Sequence, residues 1–466
     1  MPRPPPPGLT FSASARVRTE AWDWFTPSSS ADERYAFTAT VLRGGVGMKH
    51  PDFDWQVDLA VPVLLGLPDS AVAAAPQGQL GLGATYRAEN GNRIVGLVAK
   101  QAFLRVKLGS SNSTPTIRLG RFEFNDGQES RPNDPTLAWL KRERIAQRLI
   151  GTFGFTHVGR SFDGVQLVRS TPNLDITMLA VRPTKGSFQL DGLGQVDAEL
   201  AYVAVTKPLF FNAEGHEARA EGRLFGVYYH DGRDMERVDN RPASIRSADG
   251  GDIRIATVGA HYLHTFKAGP GSADVLLWGA AQTGEWGAQS HRAGAVAAEL
   301  SYRPNILEAL KPWVRVGYFL GTGDDTPGDG EHGTFFEILP TPRPFARVPF
   351  YNLMNLTDAF AQLIVSPSPH WSLRTDVHFL RLAERNDLWY AGGGAFDNQS
   401  FGYGGRPGGG ARNLAQLLDL SVDYQPSPLL GATFYVGHVR GDDVIRSVYP
   451  QGTASTFAYL ELRRQL

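Results

Sequence analysis

The sequence predicts an all-β protein, a transmembrane antiparallel β-barrel of about eighteen strands. Three observations predict this fold. Apolar and polar residues alternate with period 2 along most of the 466 residues, whereas helical periodicity is almost absent. The connections between these segments are alternately short and long along the chain. Charged side chains fall on one face of each segment, as in a barrel with a water-filled interior.

Period-2 alternation marks the predicted strands. In 53–62, Trp55 and Val57 share one face, while Asp54 and Asp58 share the other. Successive side chains of a strand point to opposite faces, so this pattern buries one face and wets the other. The candidate strands are 9–22, 34–47, 53–62, 98–110, 114–124, 155–171, 173–183, 198–206, 219–230, 253–266, 272–284, 291–303, 311–322, 357–366, 370–383, 413–425, 430–441 and 455–465.

The connections alternate in length. Even-numbered connections are mostly tight, such as 48–52 and 267–271, and odd-numbered ones are mostly long, such as 63–97 and 231–252. Short turns at one rim and long loops at the other are typical of outer-membrane barrels. An even number of strands also lets the last strand close antiparallel onto the first.

We expect one barrel domain over residues 1–466, with a Pro-rich extension at 1–8 and long loops at 125–154 and 323–356. The start, MPRPPPPG, lacks the apolar core of a signal peptide, so an exported protein would have lost that peptide by cleavage. The absence of cysteine favours an oxidising envelope compartment. The expected location is the outer membrane of a Gram-negative bacterium.

Charge and hydropathy exclude two other classes. The 46 basic and 47 acidic residues nearly cancel, which argues against a nucleic-acid-binding protein. No apolar run approaches the roughly 18 residues that a transmembrane helix requires.

A soluble β-sandwich or propeller would show the same strand alternation. Aromatic residues near predicted strand ends favour the membrane barrel, because they suggest an interfacial girdle: Trp22, Trp24, Trp313, Trp371, Tyr424 and Tyr459.

The loop 125–154 carries the densest positive charge. LAWLKRERIAQRL is expected to form a helix of about three turns, which brings together Lys141, Arg142, Arg144 and Arg148. Folded into the lumen, such a loop would narrow the pore and place these cations at the constriction, where they would attract anions. The alternative is that the run is the solvated face of a surface helix.

The loop 323–356 is acidic where it begins. Asp324, Asp325 and Asp329 lie among glycines and offer oxygen ligands of the kind that Ca²⁺ prefers. Their spacing does not match an EF-hand loop, so a solvated acidic loop is the preferred interpretation. No metal or cofactor is otherwise expected.

The predicted inner wall carries both signs of charge. Arg105 and Lys107 lie on the polar face of 98–110, and Asp54 and Asp58 lie on that of 53–62. We therefore expect any net selectivity to come from the constriction. No catalytic constellation is present: the sequence contains no GxSxG, HExxH or Walker motif, and we do not expect an enzyme.

Two stretches resemble a known family. RLGRFEFNDGQES, followed by RERIAQRLIGTFGFTHVGRSFDGVQLVRS, and GTGDDTPGDGEHGTFFEILPTPR are similar to segments of the alginate-export family of outer-membrane proteins. The first stretch contains the core GRxFDGV, with Arg160 and Asp163. The resemblance implies a monomeric, eighteen-stranded barrel narrowed by an inserted loop and lined by arginines. The arginines that match this basic lumen by position are Arg118, Arg121, Arg131, Arg142, Arg144, Arg148 and Arg160, and Asp163 would pair with one of them.

The expected function is passive diffusion of anionic solutes, such as an acidic oligo- or polysaccharide, through an arginine-rich constriction. A different class remains open, in which the barrel is a sleeve or scaffold for a periplasmic or extracellular partner. A third alternative is a membrane hydrolase. The expected partners are outer-membrane lipid and lipopolysaccharide, the barrel-assembly machinery and the anionic solute. The terminal Leu466 departs from the aromatic residue with which such barrels usually end.

Overall fold

The computed structural model describes residues 8–109, 113–213, 216–339, 347–391 and 404–466. Eighteen long strands form one closed antiparallel barrel. They are β1 (Gly8–Asp23), β2 (Arg34–Lys49), β3 (Phe53–Leu65), β4 (Val98–Lys107), β5 (Thr116–Phe122), β6 (Phe162–Thr171), β7 (Leu174–Pro183), β8 (Ala198–Ala213), β9 (His216–Asp231), β10 (Ile253–Ala268), β11 (Gly271–Trp286), β12 (Gln289–Arg303), β13 (Trp313–Gly321), β14 (Leu356–Ser368), β15 (Trp371–Leu382), β16 (Asn413–Ser427), β17 (Leu430–Gly441) and β18 (Ala454–Gln465).

The first and last strands close the barrel. β1 pairs with β2 along its length and with β18 from Ser14, opposite Gln465, to Asp23, opposite Thr456. Closure leaves no unpaired sheet edge, which is what a β-structure needs in order to span lipid. The predicted fold class and the antiparallel closure of the last strand onto the first are therefore confirmed.

Most predicted strand bounds lie within a few residues of the observed ones. The prediction for 155–171 is wrong at its start, because β6 begins at Phe162. Residues 155–161 fold into the barrel interior, and Gly159 has φ +63°, which is incompatible with an extended strand. The connection predicted between 206 and 219 is mostly strand, because β8 continues to Ala213 and β9 begins at His216.

The two faces of the strands separate as predicted. On β3, Val57 and Leu59 are 40% and 44% exposed on the outside, whereas Asp54 and Asp58 are 5% and 3% exposed on the inside. Apolar residues face lipid and polar residues face the lumen, as in an outer-membrane barrel.

The predicted aromatic girdle is largely wrong. Trp371 and Tyr424 do lie on the outside, stacked with ring centroids 4.4 Å apart. The other four point inward and are buried, because each has the inward parity of its strand or lies in a loop: Trp22, Trp24, Trp313 and Tyr459. Trp22, for example, shares its face with Glu20, to which its indole donates a hydrogen bond.

Short turns and long loops segregate to opposite rims, with two exceptions. The connection 287–288 is tight although it lies on the long-loop rim, and 304–312 is longer than the other turns on the short-turn rim. By the convention of such barrels, the short-turn rim is periplasmic. The helices lie in long-rim loops: α1 (Leu82–Asn90), α2 (Pro135–Leu140), α3 (Ala243–Arg246) and α4 (Asp443–Val448). Across the described ranges, none of the helices has the length and apolar character to cross a membrane.

Two long loops occupy the lumen. They are the connection 123–161, called the insert below, and the described part of 322–355, called the second loop. Apolar residues of both loops belong to the buried core, including Leu140, Leu149, Phe336 and Leu339. The core of this barrel is therefore built largely by loops that fold inward.

Candidate functional site

The insert reaches from the long-loop rim almost to the short-turn rim. Asp134 caps α2 by accepting hydrogen bonds from the amides of Thr136 and Leu137, both at 2.9 Å. Trp139 packs against Trp313, the first residue of β13, with ring centroids 4.3 Å apart. The helix continues as one turn of π-helix, Lys141–Ile145, and then ends. The predicted helix is present, but its last four residues are not helical.

Ion pairs fasten the middle of the insert to β9 and β12. Lys141 Nζ lies 2.7 Å from Glu221 Oε1. Arg144 makes a bidentate pair with Glu299, and Arg148 reaches the same carboxylate at 3.3 Å. The side chains of Arg144 and Arg148 are completely buried. These cations are thus compensated and hold the insert in place.

The end of the insert is fastened to β1. Arg16 donates to the carbonyl oxygens of Gly154 and Thr156 at 2.8 and 2.6 Å, and Arg18 donates to that of Phe155 at 2.8 Å. Because three consecutive carbonyl groups are satisfied by the wall, this segment is held without forming a strand. The insert is therefore anchored on β1, β9 and β12.

The insert and the second loop are joined inside the barrel. Ile150 and Leu339 form a bridge in which the Leu339 amide donates to the Leu149 carbonyl and the Gly151 amide to the Leu339 carbonyl, both at 2.8 Å. The two loops therefore form one lumenal body.

Two buried carboxyl groups lie in this lumenal body. Burial raises the pKa of Asp126 to about 6, although Asp126 Oδ1 accepts a hydrogen bond from the Ile150 amide at 3.1 Å. Burial also raises the pKa of Glu337 to about 8, although the Leu353 amide donates a 3.0 Å hydrogen bond to its Oε2, which by itself lowers the pKa. Desolvation dominates in both cases, so each carboxyl holds its proton to unusually high pH.

Cavities lie on both sides of the lumenal body. A cavity of about 650 Å³ near the short-turn rim is lined by Arg131, Asp134, Asp175 and Arg219, among others. A cavity of about 760 Å³ near the long-loop rim is lined by extracellular-loop residues that include Arg241. In the described part of the chain, no residue lines both cavities. The two cavities are therefore separate in their lining and lie at opposite rims of the barrel.

Arg142 is the accessible cation of the basic run. Its side chain is 58% exposed, and its Nε lies 2.7 Å from Glu143 Oε1. Burial raises the pKa of Glu143, but the hydrogen bond and charge of Arg142 outweigh it and lower that pKa below its ordinary value. The charges of Arg374 and Arg347 act in the same direction. The half-buried carboxylate of Glu143 is thus paired with Arg142 and lies in the positive field of two further guanidinium groups.

The wall formed by β18 and β1–β5 has an excess of positive charge. Its inward-facing basic residues are Arg16, Arg18, Arg43, Lys49, Lys100, Arg105, Lys107, Arg118 and Arg463, and its carboxylates, with the adjoining Glu123, are Glu20, Asp54, Asp58 and Glu461. Arg105 and Lys107 share one partner, Asp54. Arg118 instead bonds the neutral Gln166 and lies over the rings of Phe103 and Phe122. The wall therefore carries both basic and acidic residues, as predicted, but in this sector the basic residues outnumber the acidic ones.

Two predicted lumenal residues face outward. Arg121 and Asp163 form an ion pair at 2.6 Å, but they have the parity of the outward residues Leu119 and Val165, each 44% exposed. Inward parity at this level belongs to the buried Phe122 and its partner Phe162. The expectation that Arg121 and Asp163 line the lumen is therefore wrong, although Asp163 does pair with an arginine.

The remaining predicted site residues are spread along the barrel axis and do not form one site. Arg131 lines the cavity near the short-turn rim. Arg160 is buried, with its guanidinium 5.6 Å from the centroid of the Phe153 ring. Of the calcium candidates, Asp324 is buried, and its Oδ1 accepts from the Thr326 amide at 3.1 Å. Asp329 accepts from the Glu331 amide at 2.8 Å. Among the described residues, Asp324, Asp325 and Asp329 do not form a group of converging ligand atoms, and a calcium role stays a prediction.

The sequence reasoning missed Glu221 and Glu299, the carboxylates that pair with the buried cations of the basic run. Their inward parity on alternating strands was readable in the sequence. Their pairing with the insert was not, since 155 residues separate Arg144 from Glu299.

A family model described as alginate export matches residues 97–457. The chain belongs to the alginate-export family. It is accordingly an outer-membrane channel of that family. No curated protein matches the sequence.

Solved outer-membrane proteins share the fold of this family member over nearly its whole length. Pseudomonas aeruginosa OccK9 (OpdG) aligns with TM-score 0.59 and 14% identity over 98% of each chain. Acinetobacter baumannii OccAB1 aligns with TM-score 0.57 and 11% identity over 98% of this chain and 96% of the other. OpdK of P. aeruginosa, solved with vanillate, aligns with TM-score 0.55 and 11% identity over 98% of each. At these identities the likeness concerns the fold.

Proposed function

We propose that this channel passes anionic solutes, such as organic carboxylates and acidic saccharide units, by passive diffusion. The observation that carries the proposal is the basic excess on the wall of β18 and β1–β5. Carboxylates are too few there to neutralise the cations, and Arg118 bonds only neutral groups among the described residues. Confined positive charge lowers the energy of an anion that has lost part of its hydration.

The proposal divides the basic run into two roles. Lys141, Arg144 and Arg148 are buried against Glu221 and Glu299, so they hold the insert. Arg142 is accessible and, with Arg347 and Arg374 nearby, is the cation of the run that meets the solute. The arginine constriction is thus supplied by Arg142 and the wall.

Two further facts agree with an anionic solute. The family is described by the export of alginate, a polyanion, and the similar OpdK barrel was solved with vanillate, a carboxylate. These two facts describe the other proteins. That this channel also takes a carboxylate-bearing solute is part of the proposal. Alginate and vanillate both carry carboxylate groups, which guanidinium groups such as those of this lumen bind in bidentate geometry.

The test is the reversal potential of the purified protein in a planar bilayer under a KCl gradient. We expect a displacement toward the chloride equilibrium potential, and a lower current when polyuronate is added to one side. A reversal potential displaced toward potassium would overturn the proposal. So would an anion-selective current that neither polyuronate nor a small aromatic carboxylate reduces.

The alternative of a sleeve for a partner protein is less compatible with this lumen, because the insert and the second loop already occupy much of it. A protein that co-purifies with the barrel in stoichiometric amount, and that lies within crosslinking distance of Arg142, would favour that alternative.

A further inference from the structure

A second set of charged residues lies apart from the basic wall. The inward faces of β14, β15 and β16 carry Asp358, Asp376, Asp419 and Asp423, against Arg374 and the Arg347 side chain from the second loop. This sector is acidic if His378 is neutral, so it attracts cations. The inference drawn from it goes beyond the proposed solute and uses other ligand groups, although Arg347 and Arg374 border both sites.

Three side chains of this sector converge. Asp376 and His378 lie on β15, and Asp419 lies opposite Asp376 on β16. One nitrogen of His378 and one oxygen of each carboxylate lie within 4.8 Å of one another. All three residues are at most 4% exposed. Over the described ranges, this is the one group of three or more histidine, cysteine or acidic side chains with such geometry.

Two atoms of the group are buried and have no hydrogen-bond partner within the described residues. They are Asp376 Oδ1 and His378 Nε2, and the side-chain amide of Gln362, which is opposite Asp376 on β14, also has no partner there. The other polar atom of each side chain is used, because Arg374 Nε donates to Asp376 Oδ2 at 2.6 Å and His378 Nδ1 lies 2.9 Å from Asp358 Oδ2. A buried polar atom without a partner is unfavourable, and native structures rarely keep one without a reason.

The Asp358 contact determines which histidine nitrogen is available. A carboxylate next to Nδ1 favours the tautomer with the proton on Nδ1, which leaves the lone pair of Nε2 free. Metal-binding histidines typically have this carboxylate contact on their second nitrogen. In the competing arrangement, a doubly protonated His378 would form part of a purely ionic network. Its Nε2–H would then be a buried donor with no acceptor.

We propose that Asp376, His378 and Asp419 bind one divalent transition-metal ion of the Zn²⁺ class. The ligands are His378 Nε2, Asp376 Oδ1 and a carboxylate oxygen of Asp419, whose Oδ2 also accepts from the Tyr435 hydroxyl at 3.1 Å. An imidazole with two carboxylates suits Zn²⁺ or a neighbouring first-row ion, whereas Ca²⁺ and Mg²⁺ prefer oxygen alone. The ion ties β15 to β16 and adds positive charge to the acidic sector of the lumen.

The first test measures zinc binding by tag-free protein that has been stripped with chelator and dialysed against low-micromolar Zn²⁺. We expect about one zinc per chain. His378→Gln and Asp419→Asn should each weaken binding at least tenfold, and Asp358→Asn, which removes the positioning carboxylate, by about 10–100-fold. His370→Gln in the β14–β15 turn and Asp423→Asn on β16 are the matched controls and should bind as the wild type does.

A second measurement needs no variant and so does not depend on a substituted barrel folding. X-ray absorption of the zinc-loaded wild type should show only nitrogen and oxygen neighbours at about 2.0–2.2 Å, with the scattering of one imidazole. Wild-type protein that binds no zinc overturns the proposal. So does a spectrum with two or more imidazoles or none, or zinc binding that survives unchanged in a correctly folded His378→Gln protein.

Discussion

Arg144 of the insert and Glu299 of β12 form a bidentate ion pair, with Nε 2.9 Å from Oε2 and Nη2 2.9 Å from Oε1, and neither side chain is more than 1% exposed. Arg148 and Arg315 each lie 3.3 Å from the same carboxylate. One glutamate of the wall thus binds two arginines of the insert and one of the barrel, and the barrel arginine, Arg315, also pairs with Asp274 at 2.8 Å. The position of the lumenal body depends on this contact.

Glu299→Gln should release the insert. The substitution leaves three guanidinium groups buried near a neutral amide, and breaking a buried ion pair from one side costs about 3–5 kcal/mol. We expect a lower unfolding midpoint in detergent and larger, noisier single-channel currents. Glu285→Gln removes an exposed carboxylate from the outer rim and should change stability by less than about 0.5 kcal/mol. Equal effects of the two substitutions would contradict the anchoring role.

The paired substitution Arg105→Gln and Arg118→Gln should lower the anion preference, because it removes two of the cations that make the β18 and β1–β5 wall basic. Reversal potentials in a bilayer measure the change. The matched control is Arg121→Gln, which removes an arginine from the outward face of the same strand as Arg118. A shift caused by Arg121→Gln as large as that of the lumenal pair would show that the wall does not determine selectivity.

Two neighbouring arginines should behave differently. Arg142→Ala removes an accessible cation and should reduce anion preference with little loss of stability, because its ion pair with Glu143 is partly exposed to solvent. Arg144→Ala removes a buried partner of Glu299 and should lower the unfolding midpoint. Paired measurements of reversal potential and thermal unfolding separate the two effects. If Arg144→Ala changed selectivity alone, the assignment of a structural role would be wrong.

Stability should fall as pH rises, through Glu337. Burial raises its pKa to about 8 from an unfolded value of about 4.3, so between these pH values the folded state holds a proton that the unfolded state has lost. Protonation therefore stabilises the fold at low pH, and this contribution is lost as pH rises toward 8. Glu337→Gln should raise the unfolding temperature more at pH 8.5 than at pH 5. The exposed Glu331→Gln is the control and should show no such difference between the two pH values.

Much of the wall could be predicted from the sequence. The parity of Asp54 and Val57 on β3 follows from covalent geometry, since consecutive side chains of a strand point to opposite faces. The bounds of β17, Leu430–Gly441, agree with the predicted 430–441, where the tight turn at 428–429 fixes the start of the strand. The same rule would have placed Arg121 and Asp163 outside, had it been applied from the neighbouring Leu119 and Val165.

The lumen depended on tertiary contacts. The residues at 155–161 alternate like a strand, but Arg16 and Arg18 bind their carbonyl groups and keep them inside the barrel. Lys141, Arg144 and Arg148 look like a free basic cluster in the sequence, yet Glu221 and Glu299 form ion pairs with them from distant strands.

The sequence by itself determined that this chain forms a closed barrel with a polar interior, because strand periodicity and turn chemistry are local properties. Only the tertiary structure decided which charges in that interior are compensated. Ion pairing depends on distances of a few ångströms between residues far apart in the chain, such as Lys141 and Glu221 or Arg144 and Glu299. These distances exist only once the barrel has closed around the insert.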